Sequence, residues 1–100
     1  MSRSSSDSQF ILVSYDIPSD KRRNKISKAL KDYGERVQYS VFECCLKPEQ
    51  TEKLTRRLQM LVNQEEDNIR IYQLCRACID RITLVGNAFF REEEDEVYVV

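Results

Sequence analysis

Asp16 is the position in this 100-residue chain where a reactive side chain and its setting coincide. It follows Phe10 to Tyr15, an almost unbroken apolar run with β-branched and aromatic members, and it precedes a turn at Pro18. A run of that length reads as a buried strand covered on both faces. Such a strand seldom carries a charge in its middle, but its mouth can present one to solvent or to a metal ion. Mg2+ uses one or two carboxylates and completes its shell with water and phosphate oxygens. One aspartate per chain is too few for a dedicated site, and a symmetric dimer that brings two copies of Asp16 together supplies the second. The plainer alternative, which composition by itself favours, is a turn residue ahead of Pro18.

The remaining residue types narrow the chemistry. The chain has no histidine, which excludes His-based acid–base catalysis, Ser-His and Cys-His pairs and His-ligated metals. With only Gly34 and Gly86 there is no glycine-rich phosphate loop. Catalysis therefore has to rest on carboxylates, cysteines, hydroxyls or basic side chains. Cys75 and Cys78 form one CxxC pair, a weak zinc signal, and the adjacent Cys44 and Cys45 point to opposite faces of a strand. Nothing indicates an oxidising compartment, so disulfides are not expected and all four read as reduced, partly buried small hydrophobes.

Charge is unevenly spread behind a formal net charge of −1. Between Asp20 and Arg36, seven basic residues (Lys21, Arg22, Arg23, Lys25, Lys28, Lys31, Arg36) face three acidic ones, a local balance of +4, while Arg91 to Glu96 has a balance of −4. A basic face of this kind can hold an anionic partner on a chain that is neutral overall; a solvated surface is the ordinary alternative. At 41% hydrophobic and 33% charged residues the composition is that of a globular chain of one domain. No apolar run approaches the roughly 20 residues of a membrane span. The polar, serine-rich segment from Met1 to Gln9 lacks the apolar stretch of a secretory signal, and a cytoplasmic protein without a membrane partner is expected.

These residues need elements to position them. After the first strand, Ser19 or Asp20 can cap a helix whose apolar stripe is Ile26, Ala29, Leu30 and Tyr33, with Gly34 as its left-handed terminator. Lys21, Arg22, Lys25 and Lys28 then point outward or lie on the flanks. From Arg36 to Leu46, Val37, Tyr39 and Val41 alternate with polar residues and the phase changes at Phe42, the pattern of a tight hairpin or of one strand bent at a bulge. Pro48 opens a second helix with Leu54, Leu58, Leu61 and Val62 on one face. Asn68 to Cys75 reads as a strand, Arg81 to Val85 as a short strand closed by Gly86, and Val97 to Val100 as a β-prone tail. The fold class is α+β: a ferredoxin-like βαββαβ antiparallel sheet with two helices on one face, plus short C-terminal strands. Residues 1–9 read as a disordered polar segment, 10–86 as the domain, and 87–100 as an acidic linker and C-terminal strand at a dimer interface.

Val13-Ser14-Tyr15-Asp16-Ile17, Arg23 to Leu30 and above all Arg36-Val37-Gln38-Tyr39-Ser40-Val41-Phe42-Glu43-Cys44 resemble the CRISPR-associated Cas2 family, small proteins of the CRISPR adaptation machinery. Asn68 to Leu74 and Arg81-Ile82 resemble that family's second half, so the likeness spans residues 10–86. It implies a ferredoxin-like homodimer that cleaves RNA or DNA with Mg2+ or Mn2+. By the same resemblance Asp16 is the metal ligand and, with Tyr15, catalytic, while Arg23, Lys25, Arg36 and Phe42 are the nucleic-acid-binding residues. Lys25 stands where some members have arginine; it keeps a phosphate-binding charge and loses the bidentate fork. For Tyr15, Tyr39 and Phe42, packing in the core or on the sheet is the ordinary alternative to stacking on bases.

Two functions of different class follow from the resemblance. One is a metal-dependent endonuclease acting across the dimer axis, in which the metal ion activates water and basic side chains hold phosphates without reading sequence. The other is a non-catalytic dimeric scaffold that bridges the Cas1 integrase and protospacer DNA. An RNA-recognition module shares the element order but needs an aromatic and glycine motif on a central strand, which neither Arg36 to Cys44 nor Asn68 to Cys75 supplies. A toxin-like endoribonuclease of similar fold is the remaining alternative.

Overall fold

The computed structural model describes residues 8–88. Strand β1 (Gln9–Asp16) leads into helix α1 (Asp20–Lys31), the hairpin β2 (Gly34–Gln38) and β3 (Val41–Leu46), helix α2 (Pro48–Leu61), strand β4 (Asn68–Leu74) and a single helical turn, α3 (Arg76–Ile79). The sheet order is β2-β3-β1-β4, with β1 antiparallel to both β3 and β4. This is the expected ferredoxin-like arrangement. β1 starts at Gln9, one residue before the domain boundary read from the sequence.

The two helices cover one face of the sheet because their apolar stripes meet one parity of its strands. Ile11, Val13 and Tyr15 of β1 and Phe42, Cys44 and Leu46 of β3 form a single buried cluster with Ile26, Ala29 and Leu30 of α1 and Leu54 and Leu58 of α2. Each large side chain removed from water there contributes about 1.5–3 kcal/mol. Helix ends are secured as the sequence suggests at their starts. The Ser19 hydroxyl accepts from the Arg22 N–H at 3.2 Å, and the Gln50 side chain accepts from the Lys47 N–H at 2.8 Å ahead of Pro48. Among the described residues no helix is long and apolar enough to cross a membrane.

One open alternative is resolved and four expectations are corrected. The first concerns β1, expected to be covered on both faces: Leu12 and Ser14, on the face away from the helices, are only half-buried. Gly34 does not terminate α1: Asp32 caps the helix in right-handed geometry, and the positive φ belongs to Gly86, at 79°. Gly34 is needed for closeness instead, since a Cβ there would overlap the Glu43 carbonyl oxygen and the Cys44 sulfur across the β2–β3 ladder. Residues 36–46 are a hairpin turning at Tyr39 and Ser40, and β2 also carries a register shift between Arg36 and Gln38, so the change of phase had both causes. Arg81 to Val85 is not a strand; the α3 turn redirects the chain, and Leu84, Asn87 and Ala88 come alongside Glu35 to Gln38 and Glu43, lining a cleft of about 460 Å³. Cys75 and Cys78 are exposed rather than partly buried, whereas Cys44 is buried and Cys45 half-buried. The β-prone Val97 to Val100 and the residues from 1 to 7 lie outside the described residues.

Gly34→Ala should lower stability by about 1–3 kcal/mol through overpacking against backbone that cannot withdraw, read as a shifted urea midpoint at unchanged slope. Gly86→Ala, with open space around it, should cost about 1 kcal/mol from the left-handed backbone alone.

Candidate nucleic-acid interface and strand-end carboxylate

Asp16 is the last residue of β1 and is solvent-exposed, paired in register with Asn68 on β4. It has this position because β1 is hydrogen-bonded on both edges, while Asp16 ends the strand on the face opposite buried Ile11, Val13 and Tyr15. Tyr15 itself is 4% exposed, its ring stacked near Phe42 at 6.4 Å, its N–H bonded to the Ser40 carbonyl at 3.1 Å and its hydroxyl directed to the Tyr39 carbonyl at 3.4 Å. The tyrosine therefore clamps the hairpin turn to the end of β1. It sits beside Asp16 in sequence, but on the core side of the sheet.

The loop after Asp16 is held by Arg23, whose guanidinium donates to the Ile17 carbonyl at 2.6 Å and pairs with Asp20. Arg22 is taken up more completely. Its guanidinium forks onto both oxygens of Asp67, at 2.7 and 3.0 Å, and reaches Glu66 at 2.8 Å, tying α1 to the connection between α2 and β4. The Asp67 side chain has no solvent exposure in this pair. The Arg22 guanidinium holds the Asp67 carboxyl below the usual carboxylate range, and the acids hold Arg22 firmly charged.

Arg36 donates to Ser27, a buried polar side chain of the core, and lies over the Phe42 ring at 5.6 Å. Phe42 is fully buried. The expectation that it touches nucleic acid is corrected here: its ring has no accessible face, and its part is to support Arg36 and Tyr15 from beneath. Tyr39, by contrast, is 73% exposed at the hairpin tip, where an aromatic face is available to a base. Lys25 is exposed, and with Lys21 and Lys28 it recurs at i, i+4, i+7 on one stripe of α1. The outward cations of this helix are thus lysines, and its two arginines are occupied within the fold.

Two features escaped the sequence reading. Asp67 lies 45 residues from Arg22, and no local pattern links them. Glu43 faces Glu35 directly across the β2–β3 ladder, and burial followed by the Glu35 charge raises its carboxyl above the ordinary value. The alternation of Arg36 to Leu46 could have suggested that pair, had the hairpin register been known.

The fold and site together define a ferredoxin-like α+β domain with a strand-end carboxylate, an aromatic hairpin tip and a lysine-faced first helix. Comparison places it further. The family described as CRISPR associated protein Cas2 matches residues 9–82. The CRISPR-associated endoribonuclease Cas2 1 of Chloroflexus aurantiacus is 42% identical over 92 residues, 91% of this chain and 99% of that protein. Among solved structures, Streptococcus pyogenes Cas2 at pH 6.5 superposes with a TM-score of 0.67 at 34% identity, covering 77% of this chain and 99% of that one. A chain of a partial Cas6-RT-Cas1–Cas2 complex superposes with a TM-score of 0.68 at 36% identity, covering 77% and 90%. The chain belongs to the CRISPR-associated Cas2 family.

The Arg22–Asp67 tie has a definite pH signature. Because the folded Asp67 carboxyl is depressed, its contribution is complete above the unfolded value of about 4 and is lost as pH falls through the folded value. Asp67→Asn should lower the urea midpoint at about pH 7, and the gap to the native chain should narrow at about pH 3. A gap unchanged at low pH would assign the effect to packing.

Proposed function

We propose that two copies of this chain form a dimeric nuclease that cleaves RNA or DNA phosphodiester bonds with Mg2+ or Mn2+ held by Asp16 and its symmetric copy. The single observation that carries the reading is the exposed Asp16 carboxylate at the mouth of β1, which no ion pair takes up among the described residues, beside a loop that Arg23 holds in place. The name endoribonuclease on the Chloroflexus relative supports the reaction class. A cytoplasmic location is part of the reading.

The donor chemistry fits the cation as half a site. A carboxylate is the ligand type a hard divalent ion takes, and one or two suffice when water and phosphate oxygens complete the shell. Among the described residues no group of three or more cysteine and carboxylate side chains converges, so one chain does not build a cage by itself. When bound, the ion would supply a Lewis acid and an acidified water. The residues of the chain do the rest. Arg23 fixes the Asp16 loop through the Ile17 carbonyl. Tyr15 acts as a positioning residue, locking the end of β1 to the hairpin turn. Lys21, Lys25, Lys28 and Arg36 hold phosphates, and these contacts carry no base information.

The scaffold reading rests on its own observation, the superposition on a chain of a complex whose name includes Cas1. In that reading the lysine stripe binds DNA during assembly with a Cas1 integrase, and Asp16 is not required for it.

Asp16→Ala should abolish metal-dependent cleavage of labelled RNA and duplex DNA, as should EDTA with the native chain, and light scattering should report a dimer for both proteins. Cleavage that survives either treatment, or a monomeric native chain, defeats the nuclease reading. Full retention of DNA binding and Cas1 assembly by Asp16→Ala is the outcome the scaffold reading requires.

Replacing Lys21, Lys25 and Lys28 by alanine should weaken binding about equally for unrelated sequences. The slope of log affinity against log salt should flatten by about one unit for each phosphate no longer neutralised. A sequence-selective drop in affinity at constant salt slope would mean that these lysines do not meet phosphate.

A further inference from the structure

Cys75 and Cys78 are exposed, and their sulfurs lie 3.3 Å apart within an S–H···S hydrogen bond. A disulfide needs about 2.05 Å, so closure requires a movement of little more than about 1 Å. The turn that brings them together is built into the backbone: the Ile79 N–H bonds to the Cys75 carbonyl at 3.0 Å and the Asp80 N–H to the Arg76 carbonyl at 3.0 Å. Neither sulfur has a structural duty. Both lie outside the buried cluster, and no third cysteine or carboxylate converges on them among the described residues. A zinc ion would lack its remaining ligands there.

We infer that Cys75 and Cys78 form a redox-active dithiol that exchanges with low-molecular-weight disulfides, closing reversibly into an intramolecular disulfide. The step balances as a two-electron exchange. The Cys75 thiolate attacks one sulfur of the small disulfide, a Cys75–S bond forms, the S–S bond breaks, and one small thiolate leaves with the bonding pair. Cys78 then loses its proton to solvent and attacks the Cys75 sulfur. The protein disulfide forms and the second small thiolate departs. Two protein thiols are oxidised, one small disulfide is reduced to two thiols, and the two thiol protons end on these products.

The order of attack follows from the local hydrogen bonds. The hydrogen bond between the two sulfurs, aided by neighbouring backbone amides, holds the Cys75 thiol below its ordinary value, and the same interaction raises Cys78. Cys75 is the thiolate available first, and Cys78 resolves the mixed disulfide. This chemistry stands apart from the strand-end carboxylate. Asp16 pairs with Asn68 at one end of β4 while Cys75 follows Leu74 at the other, about 20 Å away at about 3.3 Å per residue.

The test equilibrates the purified full chain with reduced and oxidised glutathione at a series of ratios, alkylates the free thiols and maps them by mass spectrometry after trypsin. Cleavage at Arg76, between the two cysteines, makes the bond visible as residues 71–76 linked to residues 77–81. The linked pair should rise with oxidised glutathione as a two-electron couple and vanish on adding a reductant. Cys78→Ser should lose the linked pair and accumulate one glutathione on Cys75. Cys75→Ser should lose it too, and take up glutathione more slowly. Three results would overturn the inference: both thiols fully alkylated at excess oxidised glutathione, a stable mixed disulfide on the native chain, or bonds formed only between chains.

Discussion

Strand β1 is hydrogen-bonded along both edges, to β3 and to β4, and its helical face is packed under two helices. That helical face has no place for a charge, because an ionised group buried without a partner costs far more than the fold can spare. Asp16 lies on the opposite face, in the parity of half-buried Leu12 and Ser14, and is the exposed last residue of the strand. Everything that gives the candidate site its shape is arranged around that strand end. Tyr15 closes it against the hairpin turn, Arg23 braces the loop that leaves it, and Asn68 stands opposite on β4.

The basic helix divides its labour by side-chain type. Arginine offers several donors in a rigid fork, suited to holding two groups at once, and α1 uses that property inside the molecule. Arg22 joins α1 to the α2–β4 connection, and Arg23 joins it to the loop after β1. Lysine carries a point charge on a flexible stem, and Lys21, Lys25 and Lys28 face solvent. Arg36 stands between these uses: exposed, yet bonded to Ser27 and seated on Phe42. A local balance of +4 in the sequence thus overstates the charge presented outward from α1.

The residues around Phe42 illustrate how one motif serves the fold before it serves the surface. The stretch from Arg36 to Cys44 carries the family resemblance, yet Phe42 and Cys44 are buried and Gly34 is required by the close approach of β2 to β3. Burial pushes the Cys44 thiol up to about 12, which keeps it neutral and inert beside the half-buried Cys45. Within that stretch, Tyr39 at the hairpin tip is the residue that turns an aromatic ring outward. The sulfur pair that remains open to solvent is at the far end of β4.

Local patterns determined much of this protein. The apolar run ending at Asp16, the stripe of Ile26, Ala29 and Leu30, the proline at the start of α2 and the alternation of β4 were all legible, because hydrophobic period and capping act within a few residues of chain. The placement of Asp16 at a strand mouth was legible for the same reason. What required the tertiary structure were the contacts between distant segments. Asp67 captures Arg22 across 45 residues, Ser27 receives Arg36, and Phe42 is sealed beneath it. The misreading of Gly34 has the same origin, since a glycine needed for a neighbouring strand looks, in sequence, like one needed for a helix end. The expected strand from Arg81 to Val85 failed because β-prone side chains make a strand only when their backbone ladders onto an edge, and after the turn at Cys75 to Ile79 this segment leaves β4 and meets β2 across a cleft without pairing to it.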